Sequence, residues 1–204
     1  MNRRRLASLL APVLLAGLTG VTCGRSEPTP TVSRFDAVKA SAPSTDTARW
    51  CDASFPAGGP HLELPKLVAA RPGSAAPVLP AGRPFWVNVW ATWCVPCLRE
   101  MPLVLRWRDA LRKEGIAAEV IFLSVDEKEA DLTKFLVEHP ETAPDPSGRL
   151  VSSADLDPWL ARYTQPAPSG IPLQLLVGAD GALRCIRAGS LRDGDYPLVA
   201  SLLR

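Results

Sequence analysis

Histidine is scarce in this 204-residue chain, with His61 and His139 the whole supply. No second Cys-x-x-Cys pair stands at finger spacing from Cys94-Val95-Pro96-Cys97. A closed zinc site is therefore not expected, and no metal ligand set is assigned. The net charge of +2 decides nothing by itself, but no basic stripe interleaved with aromatics is present, so nucleic acid is not an expected partner. The charge-free apolar run Leu6–Val21 falls short of the ~20 residues that a spanning helix needs. There is no internal repeat. What the chain has in excess is proline, 21 residues unevenly spread, while 47% hydrophobic and 22% charged residues supply a full core.

Arg3, Arg4 and Arg5 followed by Leu6–Val21 read as the basic and apolar regions of an export signal. Twin-arginine export fits the residues flanking Arg4 and Arg5 poorly. Cys23 follows the apolar run after Gly20-Val21-Thr22. A cysteine so placed resembles the bacterial lipoprotein box, whose thiol takes a diacylglyceryl group, although those three residues depart from the usual ones. Lipidation of Cys23 is the expectation, with a plain cleaved signal as the alternative. The division expected is 1–23 signal, 24–49 tether rich in Pro, Ser and Thr, and 50–204 folded domain, because the middle stretch buries too little apolar surface to offset its ordering entropy.

Inside the domain, helical and strand patterns alternate. Phe85–Trp90 (FWVNVW) and Ala118–Val125 (AEVIFLSV) are β-branched and aromatic runs of buried-strand type. Residues 96–113 and 127–139 carry helical spacing, and Asp157-Pro158 opens a short helix through Tyr163. Leu173–Val177, the turn Gly178-Ala179-Asp180-Gly181 and Ala182–Ala188 make a hairpin, followed by a helix over 196–203. The order β-α-β-α, irregular chain, β-β-α predicts an α/β fold with a mixed sheet flanked by helices.

Cys94-Val95-Pro96-Cys97 falls where a buried strand hands over to a helix. A helix N-terminus carries about half a positive charge and free N–H groups, so a thiolate there is stabilised. Cys94 is the expected attacking thiol, and Cys97, one turn later, the resolving thiol that closes the redox-active disulfide. Half a zinc site and an inert disulfide are the competing readings, and neither requires a strand-to-helix corner. The exchange needs no cofactor.

VNVWATWCVPCLREMP at 87–102 is similar to the strand–motif–helix segment of TlpA/ResA-like thioredoxin-fold oxidoreductases. LSVDE at 123–127, SGIP at 169–172 and LLVGADGALRCIRAG at 175–189 look like the same branch. The resemblance covers about 60–204 and implies a thioredoxin-like fold, dithiol–disulfide exchange with exported protein clients, and an extracytoplasmic, often membrane-anchored location. It further implies an upstream membrane electron donor and, by analogy, a reductant role in cytochrome c or metal-centre maturation. On the same resemblance, Pro172 matches the family's cis-proline, with the Ile171 backbone beside it available to an extended partner. An ordinary trans loop proline is the alternative. Glu100 matches an acidic residue near the active site, either a proton carrier for the resolving thiol or a solvated residue favouring the helix dipole. Asn88 stands where general thioredoxins keep a buried aspartate and cannot shuttle a proton. Leu173 and Gln174, where threonines are common, are expected to make the partner groove more apolar. Residues 140–168 match the family poorly.

With Cys23, Cys94 and Cys97 assigned, Cys51 and Cys185 are left, and an exported protein rarely leaves two free thiols. A structural disulfide between them is expected, with two buried small hydrophobes as the alternative. The functional expectation is a monomeric, periplasmic thiol–disulfide oxidoreductase, lipid-anchored or secreted. The alternatives are a copper-binding thioredoxin-fold chaperone, which would need a further ligand near the pair, and a peroxidase, which would need a different cysteine motif.

Overall fold

Phe85–Trp90 (β3) is buried along its whole length and occupies the middle of the sheet. A computed structural model describes residues 45–56 and 58–204, so the signal segment, Cys23 and the tether up to residue 44 lie outside the described residues. β3 pairs parallel with β4 (Glu119–Ser124) and antiparallel with β6 (Leu173–Val177). Only a strand shielded on both faces reads as a continuous run of Val, Trp and Phe, which is why this segment is legible as a buried strand.

The rest of the sheet grows outward from β3. β5 (Ser147–Leu150) joins β4 in parallel and β2 (Leu67–Ala69) closes that edge, while β7 (Leu183–Ala188) and β1 (Ala53–Ser54) extend the other side. The order is β1-β7-β6-β3-β4-β5-β2, seven strands in one mixed sheet. Among the described residues two longer helices, α2 (Val95–Lys113) and α3 (Glu129–Glu138), and three short ones, α1 (Thr45–Trp50), α4 (Leu156–Leu160) and α5 (Tyr196–Leu202), accompany the sheet. Trp107 of α2 lies 6.3 Å from Trp86, centroid to centroid, and 5.5 Å from Tyr196 of α5; Phe135 of α3 lies 5.5 Å from Trp90. Each fully buried side chain of this size contributes about 1.5–3 kcal/mol relative to exposure.

The expected α/β architecture is present, and several local expectations need correction. Composition places residues 45–49 in the tether, yet they belong to helix α1, whose Thr47 and Trp50 are buried. The stacking that holds them is long-range, since Arg187 lies over the Trp50 ring at 4.7 Å and donates to its carbonyl at 2.7 Å. Between 140 and 168, where family and sequence disagree, the chain forms β5 and α4. β5 is Ser-Gly-Arg-Leu, without the apolar run that marks a strand, and takes its register from β4. Helix α4 begins at Leu156 and ends at Leu160, with Asp157 and Pro158 inside it; the turn that follows carries the chain to Tyr163.

Cys51 and Cys185 form a disulfide with Cα atoms 5.6 Å apart, closing a sequence separation of 134 residues. It fastens the end of α1 to β7, beside the Ala188 N–H that donates to Asp52 Oδ2 at 2.6 Å. Constraint of so long a loop in the unfolded chain stabilises the native state. The double variant Cys51→Ala/Cys185→Ala is expected to lose about 2–5 kcal/mol of unfolding free energy in urea titrations. A loss smaller than ~1 kcal/mol would show that the bridge is energetically idle.

Candidate active site

Cys94 and Cys97 sit at the corner where β3 gives way to α2. The β3 strand ends at Trp90, whose carbonyl accepts from Val125 N–H at 2.9 Å. Cys94 N–H then donates to Ala91 O at 3.1 Å, turning the chain. Asp126, at the end of the neighbouring parallel strand, holds that turn: its carboxylate accepts from Thr92 N–H at 3.1 and 3.2 Å and from Thr92 Oγ1 at 2.6 Å. Ser124 Oγ donates to the same carboxylate at 2.7 Å and accepts from Asp126 N–H at 3.0 Å.

Cys94 is the N-cap of α2, in extended backbone geometry, and its sulfur accepts the Cys97 N–H at 3.2 Å. Pro96 in the first turn costs the helix nothing, because that N–H has no intrahelical partner anyway. The two sulfurs are bonded to each other, with Cα atoms 5.2 Å apart. Cys94 is 4% exposed and Cys97 fully buried, while Trp93 and Val95 on either side are 65% and 55% exposed. Of the two cysteines, then, Cys94 is the one nearer to the surface.

The Ile171–Pro172 peptide is cis, and the Ile171 carbonyl oxygen lies 3.7 Å from Cys94 Sγ. Gly189, at a φ of 100°, donates its N–H to Pro172 O at 2.8 Å, so the segment after β7 backs the proline. Chain segments distant in sequence thus meet at one sulfur.

Glu100 is not the solvated first-turn residue that one reading allowed. It is 4% exposed, one turn past Cys97 on the same helix face. Its Oε1 accepts from Asn88 Nδ2 at 3.0 Å and Gln174 Nε2 at 2.9 Å, and its Oε2 accepts from Leu191 N–H at 2.9 Å. Burial raises the carboxyl above its ordinary value of 4.5, opposed by the Leu191, Gln174 and Asn88 hydrogen bonds and by the charge of Arg187. Leu173 and Gln174 do not line a partner groove as expected, since both are fully buried in β6. In a strand shielded on both faces neither direction of the side chain reaches solvent.

Asp126 is the site residue that sequence reasoning missed, while Gln174, expected at a partner groove, belongs instead to the buried cluster around Glu100. A usable signal existed for Asp126: it follows the C-terminal end of a strand parallel to the one carrying the cysteines, and such ends converge on sites. Nothing local shows that Gln174 turns to Trp86 and Glu100, both distant in sequence. His61 forms an isolated bridge to Ala182, and His139 stacks on Phe135 at 4.6 Å after α3. Among the described residues no cluster of three His, Cys, Asp or Glu side chains is gathered, and no helix is long and apolar enough to cross a membrane.

A mixed sheet with a cysteine pair capping the helix after its central strand, and a cis-proline opposite, defines a thioredoxin-like fold. The thioredoxin-related protein of Neisseria meningitidis serogroup B superposes with a TM-score of 0.53 at 20% identity, over 68% of this chain and 98% of that one. In sequence, the chain is similar to the thiol-disulfide oxidoreductase ResA of Geobacillus kaustophilus, 25% identical over 117 residues, 56% of this chain. It is also similar to the thiol:disulfide interchange protein CycY of Rhizobium leguminosarum bv. viciae, 29% identical over 122 residues, 57% of this chain. The matched region spans 59% of the length of each of these two relatives. No protein-family profile matches the chain.

The raised Glu100 carboxyl has a consequence for stability. A folded-state value above the unfolded one means that the native chain binds more protons between the two, so stability falls as pH rises through that window. Glu100→Gln does not titrate and lacks this dependence. The unfolding free energy of the wild type relative to Glu100→Gln is expected to decline as pH rises from about the ordinary value of 4.5. Urea titrations across a pH series read this directly, and a pH-independent difference would contradict it.

Proposed function

We propose that this chain is an extracytoplasmic thiol–disulfide oxidoreductase that exchanges disulfides with exported protein clients through Cys94 and Cys97. The observation that carries the reading is Cys94 as the N-cap of α2, its sulfur accepting an amide hydrogen bond beside a cis-proline. The ResA and CycY similarities support it.

In the reduced chain the Cys94 thiolate, stabilised by the amide end of α2, attacks one sulfur of a client disulfide and the other leaves as a thiolate. Cys97 then gives its proton to Glu100, and its thiolate attacks Cys94 Sγ, closing the internal disulfide and expelling the client's sulfur with the electron pair. Two electrons pass from the chain to the client. The reverse sequence returns them from an upstream donor, for which a membrane protein is the proposed class. Pro172 keeps the facing segment in place, and the Ile171 backbone offers its polar groups to an extended client.

The proposal extends to location and role. Residues 1–23 are an export signal and Cys23 the point of lipid attachment. Residues 24–44 are the tether, and the domain that begins with α1 works as a monomer on the periplasmic side of a bacterial membrane. A reductant role in cytochrome c or metal-centre maturation is the proposed setting.

Wild-type protein is expected to reduce insulin with a dithiol donor, Cys94→Ser to lose at least ~100-fold of that rate, and Cys97→Ser to accumulate a mixed disulfide visible by mass spectrometry. An inactive wild type that binds copper tightly would sink the reading and favour a copper chaperone.

A further inference from the structure

The buried polar cluster beneath the cysteine pair contains a residue whose hydrogen bonds neither the family resemblance nor the proposed chemistry uses. Gln174 is fully buried at the centre of β6, opposite Asn88 of β3 on one side and Arg187 of β7 on the other. Its amide can point only one way. Trp86 Nε1 is a donor without acceptor capacity, and it lies 2.8 Å from Gln174 Oε1. Asn88 Nδ2 adds a second donor to the same oxygen at 3.0 Å. With the oxygen held by two donors, the Gln174 nitrogen is left facing Glu100, 2.9 Å from Oε1.

The carboxylate has about four acceptor sites, two on each oxygen. Asn88 and Gln174 fill both of those on Oε1, and Leu191 N–H takes one on Oε2. One site stays open, on Oε2. We infer that Gln174 is the positioning residue for proton transfer at this site: it saturates Glu100 Oε1, so that Oε2 alone takes the proton, and it stabilises the anion that must form before Cys97 can be deprotonated. The inference rests on the proposed dithiol chemistry for its purpose, but the hydrogen-bond logic does not depend on turnover.

The charges around Glu100 leave this role to neutral donors. On its own helix stand Cys97 and the exposed Arg99 and Arg106; β7 supplies Arg187; the segment after β7 supplies Arg192 and Asp193. Arg187 lowers the Glu100 value, yet its guanidinium donates to Trp50 O and stacks on that ring rather than meeting the carboxylate in an ion pair. Arg106 is taken up by Asp193 at 3.1 Å. Asn88 and Gln174, from β3 and β6, are the side-chain hydrogen-bond donors to Glu100. A cavity of about 310 Å³, lined by Glu100, Arg99, Pro102, Leu103, Leu191 and Arg192 among others, gives the proton a way between Glu100 and water.

The step balances simply. Cys97 S–H gives its proton to Glu100 Oε2, forming a neutral carboxylic acid and a thiolate. The thiolate's electron pair makes the bond to Cys94 Sγ as the client sulfur leaves, and Glu100 later passes its proton out through the cavity.

The test titrates Glu100 in the full oxidised chain by difference infrared spectroscopy, following the carbonyl stretch of the protonated carboxyl, assigned by its loss in Glu100→Gln. Gln174→Met keeps the side-chain length and removes the donor. The midpoint is expected to rise by about one pH unit or more, because loss of a hydrogen bond to the charged form favours the neutral one. The pH profile of mixed-disulfide resolution is expected to move up by the same amount, and to be unmoved by Gln174→Met in a Glu100→Gln background. Should Gln174→Met fail to fold, Gln174→Asn withdraws the amide by one carbon and carries the same expectation. An unchanged midpoint in either folded variant overturns the inference. A shifted midpoint in a chain that reduces no insulin upholds the positioning by Gln174 and overturns the proposed function instead.

Discussion

The hydrogen bond from Cys97 N–H to Cys94 Sγ is the contact to which the rest of the site is subordinate. It exists because the chain leaves β3 at Trp90, turns within three residues and starts a helix with a sulfur as its cap. A sulfur in that place meets the positive end of the helix, and the same amide is free because no earlier carbonyl can reach it. Asp126 keeps the turn from relaxing. Its carboxylate takes both donors of Thr92 and the hydroxyl of Ser124, so that the loop after β4 braces the loop after β3.

Behind the sulfur pair, the sheet carries an unusual interior. Asn88, Gln174 and Arg187 lie side by side across β3, β6 and β7, and Glu100 reaches down on them from α2. A carboxyl with so little contact with water is costly to ionise, and hydrogen bonds from Leu191, Gln174 and Asn88 offset part of that cost. The result is a group whose two protonation states lie closer in free energy than an isolated buried carboxyl would allow. That is the property required of a residue that takes up a proton and gives it back, and it gives the proposed chemistry a physical basis in these side chains.

Much of this was legible without coordinates. FWVNVW announced a central strand because burial on both faces leaves no polar alternation, and Trp93-Cys94-Val95-Pro96-Cys97 announced the corner because proline belongs in a first helical turn. The hairpin around Gly178–Gly181 was equally plain, its turn closed by Gly181 N–H on Gly178 O at 2.9 Å. Strand β5 was not, since Ser-Gly-Arg-Leu carries no strand signal and owes its place in the sheet to parallel pairing with β4. Helix α1 was hidden for a similar reason: six residues cannot hold a helix alone, and Arg187 with the Cys51–Cys185 bridge does so from the far end of the chain.

The sequence by itself determined the class of fold and the place of the cysteine pair at a strand-to-helix corner, because strand, cap and dithiol are encoded within one stretch of sixteen or so residues and local physics suffices to read them. Only tertiary structure decided what surrounds the pair. Glu100 could have faced water or the core, and Gln174 could have lined a groove; which way each went depended on the register of β3 against β6 and β7 and on the segment that brings Leu191 N–H to the carboxylate. Register is set by pairing across dozens of residues, and a polar side chain in the core is tolerated only where partners from other strands complete its hydrogen bonds. No window of sequence contains both the group and the partners.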